Sequence, residues 1–191
     1  MSSALLAWVK NKGGFVGDVA IECDPNLQRR GLFAVRDVQQ GSRLVSIPQA
    51  LFLTRSVAVS TGLSIPAQLS AHCPLACFLL VEARRETSPW KPFLDSLPSN
   101  SEVNRNPLFY EPDQLMELNG SRLLPAILER QEGLCNEYDE LMEALSAKQM
   151  SSAAKEPSLQ SSNNAGAEIP QSTRPFTRTE FLRAYALVMS C

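Results

Sequence analysis

Few side chains in this chain could carry metal or nucleophilic chemistry. The 191 residues include one histidine, His72, and five cysteines, of which Cys73 and Cys77 lie nearest to it. His72, Cys73 and Cys77 would supply three ligands, but a structural zinc site needs four and no second pair of ligands lies nearby in the sequence. A single histidine also excludes catalytic zinc sites built on two or three histidines. We therefore expect no metal and reduced cysteines, with His72 on the surface or at a helix start before Pro74.

A glycine-rich stretch near the N-terminus is the next candidate. Gly13, Gly14 and Gly17 could form a loop whose backbone binds a phosphate group. Such a loop, however, follows a strand and carries a lysine followed by serine or threonine. This stretch precedes the first predicted strand and lacks that pair, so the nucleotide-binding interpretation is set aside.

Composition excludes further classes of function. The formal net charge is -2. The length is that of one domain or of one and a half, and with 44% hydrophobic residues the chain can form a hydrophobic core. A nucleic-acid-binding domain would be basic, and no stretch of apolar residues is long enough for a membrane span. The first residues do not resemble a signal peptide. We therefore expect an intracellular protein that binds neither nucleic acid nor membrane, in the cytoplasm or nucleus, with the chloroplast as a third location left open.

The elements that must position any site begin with a helix and strands. An amphipathic helix is predicted over Ala4 to Val9, ended by Gly13 and Gly14. Alternation of apolar and polar residues predicts a strand over 19–23. A turn is predicted at 39–42. Other β-rich runs predict strands over 31–35, 43–47 and, as a short fourth, 51–54.

The central part of the chain is predicted to be helical. Apolar periodicity and turn signals place helices over 75–84, 113–118 and 123–148, and residues 89–94 form a short aromatic-rich element. The longest has apolar residues at three- and four-residue steps from Leu124 to Leu145. Such a stripe could bind a partner helix, but it more often packs on its own domain, and we adopt that interpretation.

The C-terminal part carries two contrasting signals. Residues 151–174 are rich in small and polar residues without an apolar period, which predicts a flexible linker. Thr177 and Glu180 have the spacing of a capping box, so a helix is predicted to start there. That helix has no C-terminal signal before Cys191, from which we expect the polypeptide to continue in a longer protein.

Several segments, in this order, resemble those of one protein family. Segment 30–48 resembles the opening of a SET domain, with glycine–leucine–x–alanine, a glycine turn and an apolar strand that ends in isoleucine–proline. Segment 51–54 resembles the leucine–threonine that follows in the Rubisco large-subunit methyltransferase-like and SETD-type subclass. Segments 79–82 and 88–98, and then 108–115 and 118–121, resemble the helical insert of that subclass. Segment 176–190 resembles the helix that leads into its serine–arginine motif.

The resemblance implies an α+β fold and a division of the chain. Residues 1–57 would form the N-terminal helix and the first SET strands, and 58–150 the mostly helical insert. Residues 151–174 would be the linker, and 175–191 the start of the helix that leads into the SET core. The C-terminal SET core and the substrate-binding domain of the subclass have no counterpart in this sequence.

The resemblance also implies methyl transfer from S-adenosylmethionine to a lysine of a protein substrate. Such a reaction needs a cradle for the cofactor, a channel that aligns the amine, and oxygen groups around the reacting carbon. The backbone of Arg29 and Arg30, and a guanidinium, would face the cofactor carboxylate, although a solvated basic turn is the alternative. Where Arg29 stands the family usually has glycine, so the loop is shaped differently or binds cofactor less well. The cofactor-binding loop corresponds here to Gln28, Arg29, Arg30, Gly31 and Leu32.

Other parts of the family's machinery find no match. The cofactor-binding asparagine–histidine pair is absent, because the one histidine does not follow an asparagine. Ser190 is followed by Cys191 instead of arginine. No tyrosine precedes a glycine, as the family's catalytic tyrosine does, so we expect all three to serve in packing: Tyr110, Tyr138 and Tyr185. We therefore expect a truncated chain that does not transfer a methyl group by itself.

Two other interpretations stay open. The chain could be a non-catalytic interaction module, such as a truncated isoform that binds the family's protein substrate, or an unrelated α+β binding domain with similar turns. Without the later SET strands, the strands between Val19 and Ile47 would leave edges and apolar faces exposed. We therefore expect poor solubility or partial disorder of the isolated chain. The oligomeric state and the methylated residue are not predicted.

Overall fold

The computed structural model describes residues 2–24, 29–59, 62–63, 65–153 and 175–190. They form two compact units, Met1–Thr54 with Glu82–Leu97, and Arg55–Val81 with Pro98–Cys191. Helices and strands are both present. In chain order the elements are α1 (Ser2–Asn11), β1 (Phe15–Val16), β2 (Val19–Asp24), β3 (Arg29–Ala34), β4 (Val45–Ser46), α2 (Arg55–Val59), α3 (Cys73–Ala83), α4 (Lys91–Leu94), α5 (Asn100–Val103), α6 (Pro112–Met116), α7 (Leu123–Ala153) and α8 (Arg178–Ser190).

The first unit consists of α1 and short antiparallel strand pairs. The predicted first helix is confirmed, and Gly13 follows it with a φ of +85°, a left-handed conformation that glycine adopts readily. β1 pairs with β4, with Phe15 opposite Ser46. β2 pairs with β3, from Val19 opposite Ala34 at one end to residues 24 and 29 at the other. The strands predicted from alternation and from the run after Gly31 are therefore confirmed.

A small apolar core holds the first unit together. Its buried members come from α1, β1 and β2: Val9, Val16 and Val19. Trp8 of α1 donates from its indole nitrogen to the carbonyl oxygen of Pro89 over 3.0 Å. The ring of Trp8 also lies 5.7 Å from that of Trp90, centroid to centroid. These contacts fasten the segment Glu82–Leu97 to the N-terminal helix.

The strands of this unit leave much apolar surface uncovered. Eight large apolar side chains between residues 15 and 52 are exposed by 36% to 57%: Phe15, Leu32, Phe33, Val35, Val38, Leu44, Ile47 and Phe52. In the described part of the unit each sheet has two strands. The expected exposed apolar faces are therefore present.

The second unit is built on helices. Most of the apolar stripe of α7 is buried, as predicted for a helix that packs on its own domain: Ile127, Leu134, Tyr138, Leu141, Met142 and Leu145. Leu128, which the predicted stripe included, is instead 47% exposed. The start of α8 is a capping box, since the Thr177 amide donates to Glu180 Oε2 over 2.7 Å and the Glu180 amide donates to Thr177 Oγ1 over 3.2 Å. Phe181 and Tyr185 of α8 are completely buried.

Three predictions about the elements differ from the structure, one of them completely and two in part. The fourth strand over 51–54 does not form, because the chain makes a 3-10 turn at Gln49–Leu51, in which the Leu51 amide donates to the carbonyl of Pro48. The strand over 43–47 shortens to Val45–Ser46. Of the predicted linker 151–174, the first three residues continue α7 and the others lie outside the described residues. No described helix is long and apolar enough to cross a membrane.

Candidate functional site

The structure forms a strand where the resemblance implied a loop. Residues 29–32 begin β3, and Gln28 lies outside the described residues. Each of the residues 29–32 is paired with a residue of β2: Arg29 with Asp24, Arg30 with Cys23, Gly31 with Glu22, and Leu32 with Ile21. Part of the backbone of this segment is therefore already bonded to β2, and its other edge has no strand beside it among the described residues.

Gly31 has no conformational reason to be glycine in this fold. It is not among the glycines with positive φ, and its neighbours on β2 are paired regularly. A Cβ at this position would meet only the ring of Phe33, at 3.1 Å. A phenyl ring can turn away, so the packing alone would accept a larger residue. A molecule that displaced the Phe33 ring could approach the main chain of Gly31 closely.

The charges around β3 are mixed. Arg30 is exposed, and its guanidinium donates to the carbonyl oxygen of Ser96, 66 residues away. Arg36 beyond β3 pairs with Asp18 at 2.7 Å, again at the surface. The Arg30–Ser96 bond could not be predicted from local patterns. Only the motif resemblance over 88–98 pointed to residues near 96. The exposed side of β3 therefore carries both positive charge and apolar side chains, and the neighbouring strand β2 carries acidic residues.

The remaining candidates for chemistry are structural in this fold. Tyr138 donates its hydroxyl to the carbonyl of Phe176 over 3.0 Å, and Tyr138 is 1% exposed. Tyr185 shares a 2.7 Å hydrogen bond with the hydroxyl of Ser70 and accepts one from Arg130. The prediction that these two tyrosines pack is confirmed, and Tyr110 is half-buried. His72 is exposed, as predicted, with its ring 5.7 Å from that of Tyr185.

The cysteine pair beside His72 is not a reactive site. Cys73 and Cys77 lie one turn apart on α3 and are both fully buried as free thiols. The hydrogen bond with Cys77, together with burial, raises the pKa of the Cys73 thiol far above its usual range. A thiol held in its protonated form is a poor nucleophile and a poor metal ligand. Among the described residues, no group of three His, Cys, Asp or Glu side chains could hold a metal ion.

Comparison with solved structures identifies the fold. The SET domain of LSMT bound to methyl-lysine and AdoHcy superimposes with a TM-score of 0.67 at 19% identity, covering 96% of this chain and 38% of the other. Rubisco LSMT bound to sinefungin and monomethyl-lysine superimposes with a TM-score of 0.66 at 20% identity, and the match covers 97% of this chain and 40% of that one. This chain has the fold of part of the LSMT SET domain.

Sequence relatives agree with this fold, although no family model matches the chain. The Rubisco large-subunit N-methyltransferase of Pisum sativum is 24% identical over 131 residues, 68% of this chain and 26% of the relative. The fructose-bisphosphate aldolase-lysine N-methyltransferase of Arabidopsis thaliana is 26% identical, covering 69% and 27%. N-lysine methyltransferase setd6 of Xenopus tropicalis is 26% identical, covering 73% and 32%. The homologues are thus SET-domain methyltransferases of the Rubisco LSMT-like and SETD6 types, and the match spans about a quarter to a third of their length.

Proposed function

We propose that this chain is part of an S-adenosylmethionine-dependent protein-lysine N-methyltransferase. The observation that carries the proposal is the fold match over 96% of the chain to LSMT SET domains that were solved with AdoHcy and lysine or methyl-lysine. Relatives named as lysine N-methyltransferases support it. The cofactor supplies an electrophilic methyl group, and the protein partner supplies the lysine.

The candidate cofactor-binding residues are Gln28, Arg29, Arg30, Gly31 and Leu32. The described ones fit a ligand that carries a carboxylate and a planar base. Gly31 leaves its main chain approachable, with only a ring of Phe33 in the way. Arg30 adds positive charge at the surface, and Leu32 is half exposed. Backbone N–H groups and a guanidinium suit a carboxylate, while the exposed apolar side chains suit a planar base. In this proposal the β2–β3 pair binds and orients the cofactor.

We propose further that residues 1–191 alone do not complete the reaction. The sequence holds no asparagine–histidine pair and no tyrosine–glycine, the residues that the resemblance assigns to cofactor binding and catalysis. The hydroxyls of the two buried tyrosines, Tyr138 and Tyr185, are hydrogen-bonded within the chain. Incubation of the chain with cofactor and lysine peptides should give no methylated product, and detectable product would contradict this part of the proposal.

The experiment that tests the cofactor site is a binding measurement on β3 variants. We expect the 191-residue chain to bind AdoHcy by isothermal titration, and Gly31→Val to weaken binding about tenfold or more, the equivalent of about 1.4 kcal/mol. Valine suits a strand, so the fold should be kept. Val35→Leu, which adds bulk at an exposed position just beyond β3, is the matched control and should bind within about twofold. Unchanged binding by Gly31→Val would remove these residues from the site.

A non-catalytic interaction module is the second candidate function. The observation that favours it is the second unit, which has its own buried stripe on α7 and a well-defined start of α8. Such a unit could bind the family's protein substrate without the reaction. Co-purification with the same protein that a full-length homologue methylates would support this function, and failure to bind that protein would exclude it.

The cellular location is a proposal as well. Two plant relatives are named as chloroplastic, so the chloroplast stands beside the cytoplasm and nucleus. Imaging of a fluorescent fusion in cells of the source organism would distinguish the three.

A further inference from the structure

The outer edge of β3 carries main-chain hydrogen-bonding groups that do not face β2. The amide of Val35 donates to the carbonyl of Asp18 over 3.0 Å. This pair continues the β2–β3 register, in which Ala34 lies opposite Val19. Because hydrogen-bonded and non-hydrogen-bonded pairs alternate along an antiparallel ladder, Ala34 and Leu32 belong to non-hydrogen-bonded pairs. Their N–H and C=O groups therefore point to the other side of β3, where the described residues contain no strand.

Apolar side chains accompany this open edge. Phe33 is 36% exposed and Leu32 is 50% exposed. Successive side chains of a strand point to opposite faces, so Phe33 shares one face with Gly31 and Leu32 lies on the other. An edge strand of this kind, with apolar residues and open main-chain groups, is a template for pairing with a strand of another molecule. A second copy of β3 matches this edge in one register in particular.

The side chains select that register for two antiparallel copies of β3 related by a two-fold axis. An axis at Arg30 sets two arginines opposite each other, and like charges in that position are destabilising. An axis at Gly31 sets two residues without side chains opposite each other, and an axis at Phe33 leaves the first half of β3 unpaired. An axis at Leu32 pairs all of β3 except its first residue and sets Leu32 opposite its own copy.

The axis at Leu32 also uses the missing side chain of Gly31. It sets Gly31 opposite Phe33 of the partner, twice in the dimer. The Phe33 ring already lies 3.1 Å from the point where a Cβ of Gly31 would stand. Because glycine fills little space on this face, both rings fit there and lie within reach of each other. An aromatic ring over a glycine of the neighbouring strand stabilises such a pair.

We propose that two copies of this chain pair antiparallel through β3 about a two-fold axis at Leu32, and that this dimer covers the candidate cofactor-binding residues. The second part rests on the proposed function, because Gly31 and Leu32 belong to both sites. In the dimer the N–H of Leu32 donates to the partner's carbonyl and is not available to a carboxylate. The dimer and the cofactor-bound chain therefore exclude each other, and AdoHcy favours the single chain.

Sedimentation equilibrium without cofactor tests the dimer itself. Over about 1 µM to about 100 µM, the chain should show a reversible monomer–dimer equilibrium. Leu32→Lys sets two ammonium groups at the axis and should raise the dissociation constant of the dimer at least about tenfold. Val38→Lys, the same charge change at an exposed position beyond β3, should change it by less than about twofold. A chain that stays monomeric, or an equal effect of both substitutions, would overturn the dimer.

Cysteine cross-linking tests the register and does not depend on whether Leu32→Lys folds. The Cα atoms of a hydrogen-bonded pair lie about 5.5 Å apart, which suits a disulfide. Mild oxidation of Leu32→Cys should therefore link two chains through position 32, as identified by peptide mass spectrometry. Ala34→Cys is the matched control, because it lies opposite the partner's Arg30 and should link no more than the unaltered chain, whose Cys23 is also exposed. Equal linking of both variants would overturn the register.

Addition of AdoHcy tests the covering of the site separately. At about ten times its own dissociation constant, AdoHcy should raise the dissociation constant of the dimer about 100-fold, because each released chain binds one molecule. AdoHcy that binds while the dimer persists unchanged would overturn the covering and leave the proposed function standing. Absence of AdoHcy binding at concentrations where the chain is monomeric would overturn the proposed function, and with it the covering, while the dimer would stand on the first two experiments.

Discussion

The hydroxyl of Tyr138 should make a measurable contribution to the stability of the second unit. It donates to the Phe176 carbonyl over 3.0 Å, and both residues are at most 2% exposed. Phe176 immediately precedes Thr177, the residue that caps α8. The bond therefore connects the middle of α7 to the start of α8. Tyr138→Phe removes it while keeping the ring.

The loss of stability expected for Tyr138→Phe follows from the ring contacts that the variant keeps and the hydrogen bond that it loses. The ring contacts with Phe181, at 5.7 Å, and with the guanidinium of Arg178, at 5.5 Å, remain possible in the variant. Only the hydrogen bond between buried groups is removed, which costs about 1–2 kcal/mol. For a chain of this length about 1.5 kcal/mol corresponds to a fall of about 3–6 °C in Tm.

The positions of the two tryptophans allow the assay to report each unit. Trp8 and Trp90 both lie in the first unit, so tryptophan fluorescence follows that unit during heating. Far-UV circular dichroism is dominated by the helices, of which α7 and α8 belong to the second unit. Tyr138→Phe should lower the midpoint seen by circular dichroism more than the midpoint seen by fluorescence.

Tyr110→Phe is the matched control. Tyr110 is half-buried, and its hydroxyl makes no hydrogen bond to the described residues, so the same substitution should change the midpoint by less than about 1 °C. A Tyr138→Phe midpoint equal to that of Tyr110→Phe would refute the reasoning, because the buried hydrogen bond would then contribute nothing.

Three further predictions concern the cap, the core and the exposed strands. Thr177→Ala should destabilise the second unit by about 1 kcal/mol, as expected for loss of a capping side chain, whereas Thr179→Ala inside α8 should cost much less; denaturant titration compares them. Leu141→Ala, at a fully buried position, should cost about 2–5 kcal/mol, and Leu128→Ala, at an exposed one, less than about 1 kcal/mol, by the same titration. Phe33→Ser should raise the soluble fraction without lowering the fluorescence midpoint, because the Phe33 ring is 36% exposed. An unchanged solubility would argue against the uncovered apolar strands as the cause of poor solubility.

Elements specified by neighbouring residues could be predicted from the sequence. The alternation over 19–23 and the Thr177–Glu180 spacing each describe a structure that forms within a few residues, and both are found. The 31-residue α7 is likewise specified by its apolar period. Residues 51–54 show the limit of such reasoning, because β-rich composition competed there with a turn that begins at Pro48, a residue without an amide donor.

The candidate site depended on information that local patterns do not hold. Nothing in the composition singles out Arg29 to Leu32, and only the resemblance of the surrounding motif pointed to them. The structure adds that Arg30 bonds to Ser96 and that Trp8 bonds to Pro89, over 66 and 81 residues of sequence. Such contacts are determined by how the whole unit packs, and periodicity does not encode them. That packing does not require glycine at position 31 likewise depends on the position of the Phe33 ring in the folded chain.

The return of residues 82–97 to the N-terminal helix has a consequence for synthesis on the ribosome. α1 leaves the exit tunnel long before its partner Pro89 is made, since 81 residues separate Trp8 from Pro89. At about 5–20 residues per second, this interval lasts about 4–16 s. The strands are made during this interval. Until it ends, their apolar side chains lack the segment that completes the unit and are available to chaperones. A message that stops translation between residues 55 and 88 would release these strands without the segment that fastens α1, and its product should be directed to degradation.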